Sequence, residues 1–201
     1  ATAVPTVDPK AAQCSPNTLT LLNFNDFHGR IPVKNFFGTL EAERTAAGGD
    51  ANSLVLSAGD NIGGSTFESG SQADNPTIDI MNKLGLNASA VGNHEFDQGG
   101  YADLRKRIDG GDASRVQAQF PYLGANVYQK GTQTPPALKE YEIFEKAGVK
   151  VAVIGAVTQE TTSLVSPPTA SPASISAIRW TRSTAWPSSS PMVIRPTARP
   201  M

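Results

Sequence analysis

Three times in the first hundred residues an apolar run gives way at once to groups that bind cations: "TLTLLNFN" (18–25) into "NDFHG" (25–29), "SLVLSAGD" (53–60), and "NASAVGNHEFD" (87–97). Between these runs lie stretches with helical character. "NFFGTLEAERTAAGG" closes on Gly48 and Gly49, a C-terminal stop signal. In "NPTIDIMNKLG" Asn75 is placed to cap, Pro76 takes the first helical position, and Ile78, Met81 and Leu84 recur at helical spacing. "YADLRKRI" (101–108) reads as a further helix and "YLGANV" (122–127) as a strand. A pair of strands, "LKEYEIFE" and "VKVAVIGAVT", is joined through Lys146, Ala147 and Gly148. Strands alternating with helices predict a layered α/β fold with parallel pairing at its start, the first strand covered on both faces. In such a sheet the carboxyl ends of the strands share one edge, so the three polar clusters can meet there.

Composition narrows the partners. The chain has 201 residues, enough for one domain, and its 17 basic and 18 acidic residues leave a net charge of −1 without a block of either sign. That balance offers no electrostatic footprint for a nucleic acid polymer or an anionic membrane. No run of 18 apolar residues is present to span a membrane. A single cysteine, Cys14, excludes an intrachain disulfide and a cysteine-built zinc cage. Residues 1–17 are small, polar and proline-bearing, the character of a flexible leader left by signal-peptide removal or trimming.

The last 35 residues differ from the rest. Residues 167–201 contain no Asp, Glu, Lys or Gly but carry 7 of the 15 prolines and both tryptophans. Such a segment has no apolar face to bury and is expected to be disordered. Its mixture of Pro, Arg, Ser, Thr and Ala resembles GC-rich coding sequence translated in a shifted frame, an expectation that the three-frame nucleotide sequence beyond codon 166 tests directly. The expected organisation is therefore a leader at 1–17, a partial domain at 18–166 and an unrelated tail at 167–201.

Asp26 and His28, two residues apart, lie on one side of an extended backbone and can address one cation through a carboxylate oxygen and an imidazole nitrogen. Asp60 can share its two oxygens between that cation and a second, and Asn93 adds a neutral carbonyl. Mixed oxygen and nitrogen ligands suit zinc, manganese, cobalt or iron better than calcium. A shared carboxylate implies a metal pair roughly 3.5–4 Å apart, the spacing that clamps the attacking and leaving oxygens of a displacement at phosphorus. Asp97, three residues beyond His94, can orient that imidazole and favour its charged form, suited to stabilising a phosphoryl group or protonating a leaving alkoxide. Gly92 lets backbone approach the site, Glu95 is expected to be solvated or to cap, and the glycines of "GDNIGG" to provide flexibility or, through the Gly63 and Gly64 amides, to cradle phosphate.

"LLNFNDFHGR", "LVLSAGDNIGGSTFES" and "ASAVGNHEFDQG", in this order and continued by "YLGANV" and "VAVIGAVTQETTSLVSP", resemble the N-terminal part of the metallophosphatase domain of the secreted 5′-nucleotidase and UDP-sugar hydrolase family. The resemblance covers about residues 18–167. It implies an α/β calcineurin-like sandwich, incomplete in this chain, and metal-assisted hydrolysis of nucleotide phosphoesters in nucleotide catabolism. It implies two divalent ions (Zn, Mn, Co, Mg or Fe), with Asp26 and His28 on the first, Asp60 bridging, Asn93 on the second, and His94 with Asp97 as the catalytic pair. It also implies a secreted, periplasmic or cell-wall location.

Family members continue with histidine-bearing motifs that complete both metal shells, whereas no histidine follows His94 here. The second site is therefore expected to be incomplete, the activity impaired, and 149–157 left as exposed apolar strand prone to aggregation. The alternatives are an inactive fragment with at most one weak metal site, or a cyclic-nucleotide phosphodiesterase of the same superfamily.

Overall fold

The structure is a computed structural model, and it describes residues 18–31, 34–128, 132 and 138–164. The expected leader and the expected tail lie outside the described residues. In chain order the elements are β1 (Thr20–Phe24), α1 (Lys34–Ala46), β2 (Ser53–Ser57), α2 (Phe67–Gly70), α3 (Asn75–Leu84), β3 (Ala88–Ala90), α4 (Tyr101–Ile108), β4 (Tyr122–Leu123), β5 (Tyr141–Lys146), β6 (Val149–Ile154) and α5 (Thr161–Leu164). Short 3-10 turns occupy Asp50–Asn52 and His94–Phe96.

The first four strands form one parallel sheet in the order β1-β2-β3-β4. Each parallel connection needs a crossover, and α1, α3 and α4 supply them. With right-handed crossovers and no reversal of strand order, all three helices fall on one face. The core on that face has Leu22, Phe24 and Val55 from the sheet against Leu40 of α1, Ile78, Met81 and Leu84 of α3, and Leu104 of α4. Ile78 and Met81 are fully buried, each worth roughly 2 kcal/mol of transfer free energy.

Leu54, Ala88 and Leu123 are buried on the opposite face. There the antiparallel β5–β6 hairpin is tied to the segment after β4 by Gly124 N–H donating to Lys139 O (2.8 Å) and Ala125 N–H to Gly155 O (2.7 Å). Its turn is anchored before β2, where Ala147 N–H donates to Ala51 O (2.7 Å) and Lys146 Nζ to Asp50 O (2.6 Å). The hairpin thus supplies the second layer of an α/β sandwich.

Several local expectations are corrected. β1 is not covered on both faces: it is the edge strand, and Leu21 and Asn23 are exposed while Leu22 and Phe24 are half-buried. The strand with cover on both sides is β2, next to it. Asn75 does not cap α3. Asp74 precedes the helix, Asn75 is already helical, and its Oδ1 accepts from Val116 N–H (2.9 Å). Lys146 belongs to β5, so the hairpin turn is Ala147–Gly148 alone, both at positive φ (50° and 71°) as a two-residue turn with the sheet's twist requires. Of the expected exposed apolar strand, Val149 is exposed but Val151, Ala152 and Val157 are buried; Tyr141 and Ile143 of β5 take the exposed positions instead.

Candidate metal centre

Because β1, β2 and β3 run parallel, their carboxyl ends open onto one edge. Beyond the strands the first two loops stay zipped together: Asp26 N–H donates to Gly59 O, His28 N–H to Asp60 O and Gly29 N–H to Asn61 O, each at 3.1 Å. Phe27, 7% exposed, turns into the core against Phe24, Phe36 and Phe37, so its neighbours Asp26 and His28 face away from it. The expected extended backbone is not what aligns these two residues. Asp26, His28 and Asp60 all adopt left-handed backbone, with φ of 54°, 48° and 55°. Each such residue costs on the order of 1 kcal/mol, a strain concentrated on the three side chains expected to bind metal.

Their ligand atoms, one from each side chain, lie within 4.8 Å of one another. His28 Nδ1 is 2.7 Å from Gly63 O, which can only accept, so in the neutral ring Nδ1 carries the proton and Nε2 the lone pair. That bare Nε2 lies 3.6 Å from Asp26 Oδ1. An imidazole held this way by a backbone carbonyl is how metal-binding histidines are usually oriented. Asn25 Nδ2 donates to Asp26 Oδ2. His94 N–H donates to Asp60 Oδ1 (2.9 Å), and a Cβ at Gly92 would overlap the Asp60 carboxylate, so glycine is required there. One imidazole nitrogen and two carboxylates, pre-aimed at a common point, fit a divalent transition metal.

Beside this cluster His94 Nδ1 is 2.6 Å from Asp97 Oδ2, and the His28 and His94 rings meet edge to face at 4.7 Å. Burial lowers the His94 pKa, but the Asp97 hydrogen bond and the charges of Asp97, Asp60 and Glu95 outweigh it and leave the group raised. Asn93 stands between Gly92 and His94, the residues that press on Asp60, and opens the 3-10 turn by accepting from Phe96 N–H (3.2 Å). Of the two amides expected to cradle phosphate, that of Gly63 is taken by Asp74 Oδ2 (3.1 Å).

Glu95 is not solvated. It is 3% exposed, and its carboxylate caps loop backbone: Oε2 accepts from Asp60 N–H (2.9 Å) and Gly92 N–H (2.6 Å), Oε1 from Asn61 N–H (2.9 Å). Beneath it Ser57 Oγ donates to Asn61 Oδ1 (2.7 Å) and Asn61 Nδ2 to Ser89 Oγ (2.8 Å), joining β2 to β3. Sequence reasoning missed this clamp, since a glutamate after a histidine carries no sign of its backbone partners.

Burial, then the Asp60 charge, push the Glu95 carboxyl up to about 7, against the pull of its three amide donors. An acid raised in the folded state gives stability that is complete below its unfolded value of 4.5 and lost as pH rises through about 7. The raised His94 adds a loss of the same sign above its ordinary value of 6.5. The unfolding free energy of the metal-free chain should therefore fall by roughly 3 kcal/mol from Glu95 between pH 4.5 and the region above 7. Denaturant titrations at several pH values with chelator check this, and added divalent cation should flatten the fall by offsetting the Asp60 charge.

The parallel sheet, second layer and loop-borne acid and imidazole groups make this the fold of the calcineurin-like phosphoesterases. Calcineurin-like phosphoesterase YfkN from Bacillus subtilis superposes with a TM-score of 0.55 at 24% identity, covering 72% of this chain and 50% of that one. Among curated relatives, the Vibrio vulnificus 5′-nucleotidase is 38% identical, the match taking in 74% of this chain and 27% of that protein. Endonuclease YhcR of Bacillus subtilis is 36% identical over 74% of this chain and 14% of its own length. An uncharacterized Acinetobacter calcoaceticus protein in the pqq-V 5′ region is 31% identical over 69% of this chain and 83% of its own length. No protein-family model matches the chain. The chain belongs to the 5′-nucleotidase family of metallophosphoesterases, of which it carries the N-terminal part of the metallophosphatase domain. It spans about a quarter or less of the length of the first two named relatives.

Proposed function

We propose that residues 18–166 are the metal-binding part of a phosphohydrolase acting on nucleotide phosphate esters, with 1–17 and 167–201 outside that unit. The observation that carries this reading is the convergence of Asp26, His28 and Asp60, with the His94–Asp97 pair at 2.6 Å alongside. Asp26 and His28 would hold one divalent ion, Asp60 would bridge to a second, and Asn93 would contribute to that second ion. When bound, such ions polarise phosphoryl oxygens and lower the pKa of water. His94, whose charged form Asp97 favours, would face the phosphoryl group, stabilise its negative charge and deliver a proton to the departing alkoxide.

The similarity to 5′-nucleotidases favours nucleotides as substrates, while that to an endonuclease favours a phosphodiester in a polymer as the second reading. A net charge of −1 without a basic patch argues against the polymer. The relatives also favour an exported location; among the described residues no helix is long and apolar enough to cross a membrane.

Of the residues matched to the family's motifs, Asp60 and Asn93 would serve the second ion, and no histidine follows His94 in these 201 residues. Calorimetric titration of the 201-residue chain with manganese should give one well-filled site, and AMP turnover should stay near background. Two tight sites with AMP turnover would show the activity to be intact. Absence of any binding would remove the metal reading, and bis-p-nitrophenyl phosphate turnover without AMP turnover would move the substrate to diesters.

A further inference from the structure

Asp74 is fully buried, and it sits in left-handed backbone (φ 56°) at the start of α3 without capping that helix. A buried carboxylate in strained backbone must be held by other partners, and it has three. Its Oδ2 accepts from Gly63 N–H (3.1 Å) and Gln98 Nε2 (2.7 Å), and its Oδ1 from Ser69 Oγ (2.7 Å). The Arg107 guanidinium, fully buried, donates to the carbonyl of the preceding residue, Ala73, and its charge interacts with Asp74. Gly63, held to Asp74 through its N–H, presents its own carbonyl, on the far side of its Cα, to His28 Nδ1 at 2.7 Å. Gln98, the other tie, lies directly after Asp97, the partner of His94.

We propose that Asp74 is a positioning residue for His28: by pinning Gly63 it holds the neutral imidazole with Nδ1 protonated and Nε2 bare. The inference rests on the metal reading above for its purpose but not for its geometry. The Asp74 bond pins the Gly63 backbone at φ 77°, which keeps the Gly63 carbonyl aimed at Nδ1. A carbonyl kept in place at Nδ1 favours the Nδ1–H tautomer and leaves Nε2 as the donor to a cation. Gly63 cannot be replaced without moving this link, because a Cβ there would overlap the His94 carbonyl.

The chain has two histidines, so nitrogen-15 spectra of the imidazoles report each tautomer without crowding. In the metal-free chain His28 should be the Nδ1–H form. Asp74→Asn keeps a residue that tolerates left-handed backbone but removes the charge and leaves one acceptor oxygen for the three donors Gly63 N–H, Gln98 Nε2 and Ser69 Oγ. It should turn His28 into a tautomer mixture and weaken manganese binding about tenfold or more, the effect expected of a group that orients a ligand. Asn75→Ala is the control: it loosens α3 at Val116 and Arg107 without touching Gly63, so it should lower the thermal midpoint yet leave the His28 signals in place. If Asp74→Asn leaves the His28 tautomer and the affinity within twofold, or if Asn75→Ala changes the tautomer equally, the assignment is overturned. Should Asp74→Asn fail to fold, Asp74→Glu displaces the carboxylate from Gly63 and carries the same test. A wild-type chain that binds no manganese but shows the tautomer response would sink the metal reading and leave the positioning role standing.

Discussion

Asp60→Ala should abolish measurable divalent-metal binding. Asp60 is the point at which the three loops meet: its carbonyl takes His28 N–H, its own N–H goes to Glu95, and its Oδ1 takes His94 N–H. Its carboxylate is one of three groups converging on the candidate cation site, and without it Asp26 and His28 remain. Two protein ligands rarely hold a transition metal, so the loss should exceed the roughly 10–100-fold that orienting partners typically carry. Alanine in left-handed backbone adds strain, which confounds fold loss with metal loss. Asp60→Asn tolerates that backbone and can still accept from His94 N–H, so it should retain the wild-type thermal midpoint within a few degrees while losing most metal affinity. Calorimetry with manganese alongside thermal unfolding separates the two effects. Unchanged affinity in either variant would mean the cation does not use Asp60.

Glu95→Ala should destabilise the fold more than any other single change at the site. It leaves the N–H groups of Asp60, Asn61 and Gly92 without their acceptor at buried positions. At about 1–3 kcal/mol for each unsatisfied buried group, the gross cost is on the order of 3 kcal/mol or more. For a chain of this size that is a fall of about 10 °C in midpoint. The ionisation cost of a carboxyl raised to about 7 offsets part of this near neutrality. The deficit of the variant should therefore grow as pH is lowered toward 5, and grow again when cation is present. Glu95→Gln keeps the volume and one acceptor, so it should fall between wild type and Ala. Denaturant unfolding of the three proteins at two pH values decides the matter, and a Glu95→Ala difference below about 1 kcal/mol throughout would show that water replaces the clamp.

Asp26, His28, Asp60, His94 and Asp97 could be picked out in the sequence because each ends a strand-like apolar run, and parallel strands bring their carboxyl ends to one edge. The helices α1, α3 and α4 were equally legible, since amphipathic spacing and terminal glycines depend only on neighbours within a few residues. The cover on each strand was not legible: β1 and β2 are both apolar, and only their places at the edge and the interior of the sheet make one half-exposed and the other buried.

What the sequence determined by itself was therefore the order of the main elements, the parallel class of the sheet and which polar side chains gather at its carboxyl edge, because these follow from local pattern and chain connectivity. Tertiary structure alone decided how the site is held. Left-handed backbone at Asp26, His28 and Asp60, the Glu95 clamp on three amides and the Asp74 link through Gly63 all join residues from different loops. Such contacts are set by how two distant segments pack, and no local pattern encodes the partner of a buried carboxylate.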